Sequence, residues 1–314
     1  YYLNIKVLMD YLAKAQKPVV WTFHDCWPFT GHCTFFGCVY DEPDCMKWQT
    51  QCNQCPKKSR YPASYLLDNS RQNFEDKKRL FGALDNLTIV TPSRWLAGLV
   101  KQSFLHEKPV QVIHNGIDLN RFKPTVYQAT FDKYGIDPSK KIVLGVASVW
   151  DRRKGLSEFI QLASLLPENY QIVIVGLNSK QLKDVPADIV GVPRTESVEE
   201  LAALYSGAAI FVNPTFLDNF PTTNIEALAC GTPVITYDTG GSPEAIDEAT
   251  GLTIPKKDIH SLQLAIQEWC NKKEQHSAAC RSRAEQFFNK EDRYQDYLKL
   301  YENVAQTSTT TVKI

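Results

Sequence analysis

Apolar residues come in two rhythms along this chain, and their alternation lays out its elements. Leu3, Val7, Leu8 and Leu12 have the spacing of one helix face. Residues 18–23 read as a short buried strand ending at His24 and Asp25, and residues 87–91 and 110–113 predict two more strands. Between those two, Ser93 stands where a helix cap is expected. From Lys141 the rhythm becomes regular: strand 142–147, helix 156–166, strand 171–175, helix 198–206, strand 209–212, helix 223–230, strand 234–237. Strands alternating with helices, several of them apolar throughout, predict a doubly wound parallel sheet buried on both faces. A short helix is expected from Ser242, amphipathic helices after Asp258, a last helix over 291–305, and a fraying Thr-rich tail over 307–314.

Composition narrows the class. At 314 residues two domains are expected. Lys and Arg together number 35 and Asp and Glu 35, with no long block of one sign, which argues against a dedicated nucleic-acid surface. No apolar run approaches the length of a bilayer span, and the start has neither the basic nor the apolar part of a signal sequence. A cytoplasmic location is the expectation, with peripheral contact at the inner face of the membrane left open.

The richest chemistry lies between Asn213 and Glu244. A buried strand brings the chain to the carboxyl edge of the sheet, where an acid, Asp218, precedes a turn made of Phe220, Pro221, Thr222, Thr223, Asn224 and Ile225. That turn opens a helix whose free N–H groups and dipole favour an anion, and a second acid, Glu226, sits on its first turns. Thr239, Gly240 and Gly241 form another turn at which a ligand can approach the backbone. Carboxylates beside a phosphate cradle would repel the phosphate, so Asp218 and Glu226 are assigned to hydroxyl groups. Hydroxyls next to phosphates describe a nucleotide sugar.

These residues resemble the signature of the retaining nucleotide-sugar glycosyltransferases of family four, a large family with the GT-B fold. Two acids separated by seven residues are followed by Ala-x-Ala-x-Gly-x-Pro-Val, which here runs from Ala227 to Val234. Asp218 stands where the family usually has Glu. The resemblance implies an α/β GT-B fold, with two Rossmann-like domains whose parallel sheets face each other across a cleft. It divides the chain into a partial acceptor-side domain over 1–122, a nucleotide-sugar domain over 123–289, and a crossover helix and tail over 290–314. It further implies that about half of an N-terminal domain precedes Tyr1, so that this chain is an N-terminally truncated piece.

The family pattern also assigns roles elsewhere. His24, at the end of its strand, is expected near the donor sugar and the acceptor. Lys154 and Gly155 match a Lys-Gly pair that reaches the donor pyrophosphate. The Arg that usually precedes the pair is absent, with Arg152 and Arg153 as its alternatives. Val192 and Arg194 fall where the nucleotide base is held, and His114, Asn115 and Gly116 resemble the signature between the domains. The implied reaction moves a sugar from a nucleoside-diphosphate donor to a glycan or lipid-linked glycan with retention, and no catalytic metal is expected. Two other readings stay open: a nucleotide-sugar-binding or assembly protein without catalysis, and a phosphorylase or epimerase on the same fold.

Residues 26–60 hold six of the nine cysteines. The two-residue gap between Cys52 and Cys55 suits a zinc knuckle, which Cys33 and Cys45 would complete as a structural site. Cys26 and Cys38 compete as ligands. A redox-labile staple and a set of unligated thiols are the alternatives.

Overall fold

The computed structural model describes residues 3–37 and 44–311. Cys38 and residues 312–314 of the expected tail lie outside the described residues. The chain divides into two units, residues 1–114 with 293–314, and residues 115–292.

In the first unit, helix α1 (Ile5–Ala15) is capped by Asn4, whose side chain accepts the Val7 N–H. It leads to strand β1 (Val19–Thr22), then through the cysteine-bearing loop to α2 (Ser70–Gly82), β2 (Leu87–Thr91), α3 (Arg94–Val100) and β3 (Val110–Val112). The three strands form a parallel sheet in the order β1-β2-β3, with Val19 opposite Leu87 and Ile89 opposite Val110. Ser93 caps α3 through its Oγ, 3.1 Å from the Leu96 N–H. The core of this unit gathers Met9, Phe23, Trp48, Phe81, Leu87, Ile89 and Leu96.

No helix is expected over α2 above, because six of its thirteen residues are charged and obscure the apolar stripe. It buries Phe74, Lys77, Leu80 and Phe81, a complete helical stripe in which one apolar position is taken by a lysine. The Lys77 Nζ sits 3.6 Å from the Trp27 ring centre and donates to the carbonyls of Trp27 and Thr30 at 2.7 and 2.9 Å. Its long stem packs like a methionine while its head closes the loop that follows β1.

The second unit adds α4 (Gln128–Tyr134), β4 (Lys141–Val146), α5 (Leu156–Ala163), β5 (Tyr170–Val175), α6 (Gln181–Asp184), β6 (Ile189–Val192) and α7 (Val198–Gly207). Then follow β7 (Ile210–Asn213), α8 (Thr222–Ala229), β8 (Val234–Tyr237), β9 (Gly251–Ile254), α9 (Ile259–Trp269) and α10 (Lys273–Phe287). Six strands make one all-parallel sheet in the order β6-β5-β4-β7-β8-β9. The order runs one way from β4 through β6 and the other way from β7 through β9, so the crossovers diverge between β4 and β7. Those two strands are hydrogen-bonded neighbours, with Val143 opposite Ile210. Both are apolar and almost wholly buried, as helices on both faces require. This is an α/β chain with two parallel sheets and the GT-B fold.

The last helix, α11 (Lys290–Thr311), runs past the expected end at residue 305. Its Leu300, Tyr297 and Val304 pack with Val20, Val90 and Ile113 of the first unit, and Tyr297 Oη meets Thr22 Oγ1 at 3.1 Å. That packing fixes the middle of a helix whose own sequence is polar.

Candidate functional site

At the carboxyl edge of the six-stranded sheet lies a cavity of about 670 Å³. The loops after β4, β5, β6 and β7 line it with Ala147, Ser148, Lys154, Gly176, Arg194 and Asp218, and the start of α8 adds Phe220, Pro221, Thr222, Thr223 and Glu226. Residues more than seventy positions apart thus share one wall, because parallel strands deliver every following loop to the same edge.

Lys154 Nζ and Asp218 Oδ2 form an ion pair at 2.5 Å, with the two side chains 27% and 17% exposed. The carboxylate therefore holds the ammonium at the cavity wall. Asp218 Oδ1 also accepts the Asn219 N–H at 2.9 Å, which fixes its rotamer. Beside this pair, α8 begins at Pro221 with no side-chain cap. Its far end is closed by Arg281, whose guanidinium donates to the Ala229 carbonyl at 2.9 Å and to the Phe122 carbonyl at 2.8 Å. The positive, uncapped N-terminus of the helix dipole faces the cavity, and the Arg281 cation offsets its negative end.

Glu226 is half-buried. Burial pushes its carboxyl above the ordinary glutamate range, while hydrogen bonds with Tyr205 and Thr222 pull it back. Tyr205 is fully buried and donates its phenol O–H to Glu226 Oε2 at 3.0 Å. Burial and the neighbouring carboxylate hold that phenol in its protonated, donating form. One Glu226 oxygen is thus fixed from beneath. Tyr205 escaped the sequence reading, since its only signal is an aromatic within an apolar helix.

Asn224 and Ile225 belong to the support of the cavity and do not line it. Ile225 is wholly buried in the core, and the Asn224 amide joins a buried network. Its Oδ1 accepts from Asn213 Nδ2 at 2.8 Å and its Nδ2 donates to the Ser242 hydroxyl and carbonyl at 3.0 and 3.1 Å. Thr236 Oγ1 meets the Ser242 hydroxyl at 2.6 Å. The ends of β7 and β8 are thereby tied to the first turn of α8.

Gly240 and Gly241 likewise press on the site from behind. Gly240 has φ +57°, and a Cβ there would lie 1.7 Å from the Asp218 carbonyl oxygen. Gly241 donates its N–H to the same oxygen at 3.4 Å. At the other wall Gly176, with φ +101°, passes the Ala147 carbonyl so closely that a Cβ would sit 1.7 Å from it.

Arg153 lies off the cavity wall. Its guanidinium grips Asp151 Oδ2 through Nε and Nη2 at 3.0 and 2.9 Å, the local turn having placed its own acid in reach. Val192 is buried in the core, while Arg194 is exposed on the rim. Ser148, Gly176 and Thr195 line the cavity without having been singled out, each being a small residue in a loop just after a strand.

In the first unit, His24 is exposed after β1. Asp25 beside it accepts the Trp27 N–H at 2.8 Å and so closes the turn after β1.

The structural zinc expected on Cys33, Cys45, Cys52 and Cys55 is not supported. All four line a cavity of about 10 Å³ with His32, yet no group of three or more His, Cys, Asp or Glu among the described residues converges on a point that could hold a metal ion. Cys33 and Cys55 face each other at 3.9 Å, whereas the Cys52 sulfur accepts the Gly31 N–H at 3.2 Å.

Comparison with known proteins bears on the whole arrangement. The family model described as glycosyl transferases group 1 matches residues 126–287, and that described as glycosyltransferase family 4 matches residues 2–121. The chain is 24% identical over 284 residues to WcaC of Escherichia coli (strain K12), assigned as a colanic acid biosynthesis glycosyl transferase, covering 83% of this chain and 63% of that protein. It is 31% identical over 159 residues to D-inositol 3-phosphate glycosyltransferase of Mycobacteroides abscessus, covering 46% of this chain and 35% of that protein. The chain thus spans less than two thirds of either relative. The solved structure of Anabaena HepE in complex with UDP superposes with a TM-score of 0.70 at 15% identity, covering 95% of this chain and 76% of that one.

Proposed function

The chain belongs to the glycosyl transferases group 1 family, and from that premise we propose that it serves the transfer of a glycosyl group from a nucleoside-diphosphate sugar to a glycan or lipid-linked glycan, with retention at the anomeric carbon. The observation that carries this reading is the juxtaposition, in one cavity, of a lysine, an uncapped helix start and two carboxylates. Lys154 and the N–H groups of Thr222 and Thr223 suit the departing diphosphate, whose charge grows as the glycosidic bond breaks. Glu226 and Asp218 suit hydroxyl groups of the donor. Arg194, on the rim, suits the nucleotide base, and His24 the sugar hydroxyls on the acceptor side. Retention would follow from attack on the face the diphosphate leaves, its oxygen taking the proton of the acceptor hydroxyl. HepE was solved with UDP, with UDP and glucose, and with UDP-glucose, which supports a donor of this class. The work is proposed to take place in the cytoplasm, at or near the inner membrane face.

The test is calorimetry with a panel of nucleoside diphosphates and their sugars, followed by transfer assays on Lys154→Ala and Glu226→Ala. Both variants should fold and lose donor turnover at least about tenfold, equivalent to about 1.4 kcal/mol. Unchanged transfer rates in both would remove the assignment. Asp218 in the usual place of Glu favours a second reading, a nucleotide-sugar-binding protein without turnover. Donor binding without transfer or hydrolysis would select it.

A further inference from the structure

We propose that Cys33 and Cys55 form a reversible dithiol–disulfide couple, oxidised by exchange with a small-molecule disulfide. Their sulfurs stand 3.9 Å apart across 22 positions of sequence. A disulfide requires about 2.05 Å, so the two sulfurs must approach by roughly 1.9 Å for the bond to form. Both backbones are already held. The Thr30 hydroxyl donates to the Cys33 carbonyl at 2.6 Å, and the Cys55 N–H donates to Asp68 Oδ2 at 2.6 Å. Lys77 fixes the Thr30 carbonyl, so the stretch leading to Cys33 is pinned from α2 as well.

The neighbouring thiols are placed differently. Cys52 has its sulfur on the Gly31 N–H, and its Cβ lies so close to Gly31 that a Cβ on the glycine would be 2.7 Å away. The Cys52 sulfur is thus engaged by the backbone, whereas the Cys33 and Cys55 sulfurs face each other. Cys33 is 8% exposed and Cys55 more open, which sets the order of events. The Cys55 thiolate attacks one sulfur of oxidised glutathione, whose S–S bond breaks and releases one glutathione thiolate. Cys33, giving its proton to solvent, then attacks the Cys55 sulfur of the mixed disulfide and expels the second glutathione thiolate. The protein loses two electrons and glutathione gains them. The product staples the segment that follows His24 to the turn at Cys52–Cys55.

The experiment begins with chain purified under dithiothreitol and exposed to oxidised glutathione, with differential alkylation and peptide mapping. The expected product is a Cys33–Cys55 cross-linked peptide that disappears on renewed reduction. Cys33→Ser should accumulate glutathione on Cys55, whereas Cys55→Ser should take up little at Cys33. A Cys52–Cys55 linkage, no linkage at all, or stoichiometric zinc that protects the four thiols of freshly purified chain would each overturn the proposal. If either serine variant fails to fold, the map of the unsubstituted chain decides alone.

Discussion

The buried Tyr205 phenol meets the half-buried Glu226 carboxylate at the cavity wall, and their pairing separates two meanings of a site residue. Glu226 can reach the cavity because Tyr205 occupies one of its oxygens from the core side. Tyr205→Phe removes the donor and leaves the oxygen unpaired, which should cost about 1–3 kcal/mol of stability in urea unfolding. The same variant should weaken donor binding without touching the donor. Lys77 makes a second residue-scale case. Burial lowers its ammonium from 10.5 to about 7, against the opposing pull of Cys52 and Asp25. Between those values the unfolded chain binds the proton and the folded chain does not, so Lys77's contribution to stability is complete above about pH 10.5 and is lost as pH falls toward 7. Unfolding midpoints should therefore rise with pH across that window more steeply in the parent than in Lys77→Met, and parallel curves would refute the assignment.

At the scale of elements, the site is a set of loops pressed against one another at backbone level. The turn at Gly240 leans on the Asp218 carbonyl, and Gly240→Ala adds both a steric clash and an unfavourable φ. The variant should lose more than about 1 kcal/mol in unfolding experiments and, if folded, should bind a nucleoside diphosphate more weakly. Much of this was legible in the sequence. The strand-acid-turn-helix order from Ala209 to Glu226 located the segment that arrives at the sheet edge, because a parallel strand delivers the chain after it to that edge. What the sequence hid depends on distance. Nothing in the order Lys154-Gly155 shows that Asp218 will neutralise the lysine, and Asp151 capturing Arg153 is a matter of one turn's geometry. Asn224 read as a ligand-facing residue in a polar turn, but its amide serves the buried network because its neighbours Asn213 and Ser242 lie beneath it. Helix α2 was hidden by Lys77, a charge filling a core position.

At the scale of the whole molecule, formal charge sums to zero at pH 7, so no global field draws anions in. On the proposed reading, affinity for a diphosphate comes from Lys154 and the start of α8, and binding should lose less than tenfold between about 50 and 200 mM salt. A steep salt dependence would point to a distributed basic surface in its place. Each unit has its own core and its own parallel sheet. In the second, the loops carrying Lys154 and Asp218 leave adjacent strands, β4 and β7, whose hydrogen bonds fix their separation at the pitch of a sheet, about 4.8 Å. The gauge between those two attachment points therefore belongs to the peptide backbone and not to loop length. Insertions farther out along either loop can reshape what enters the cavity while its footing stays in register, which leaves a lineage free to trade one cargo for another.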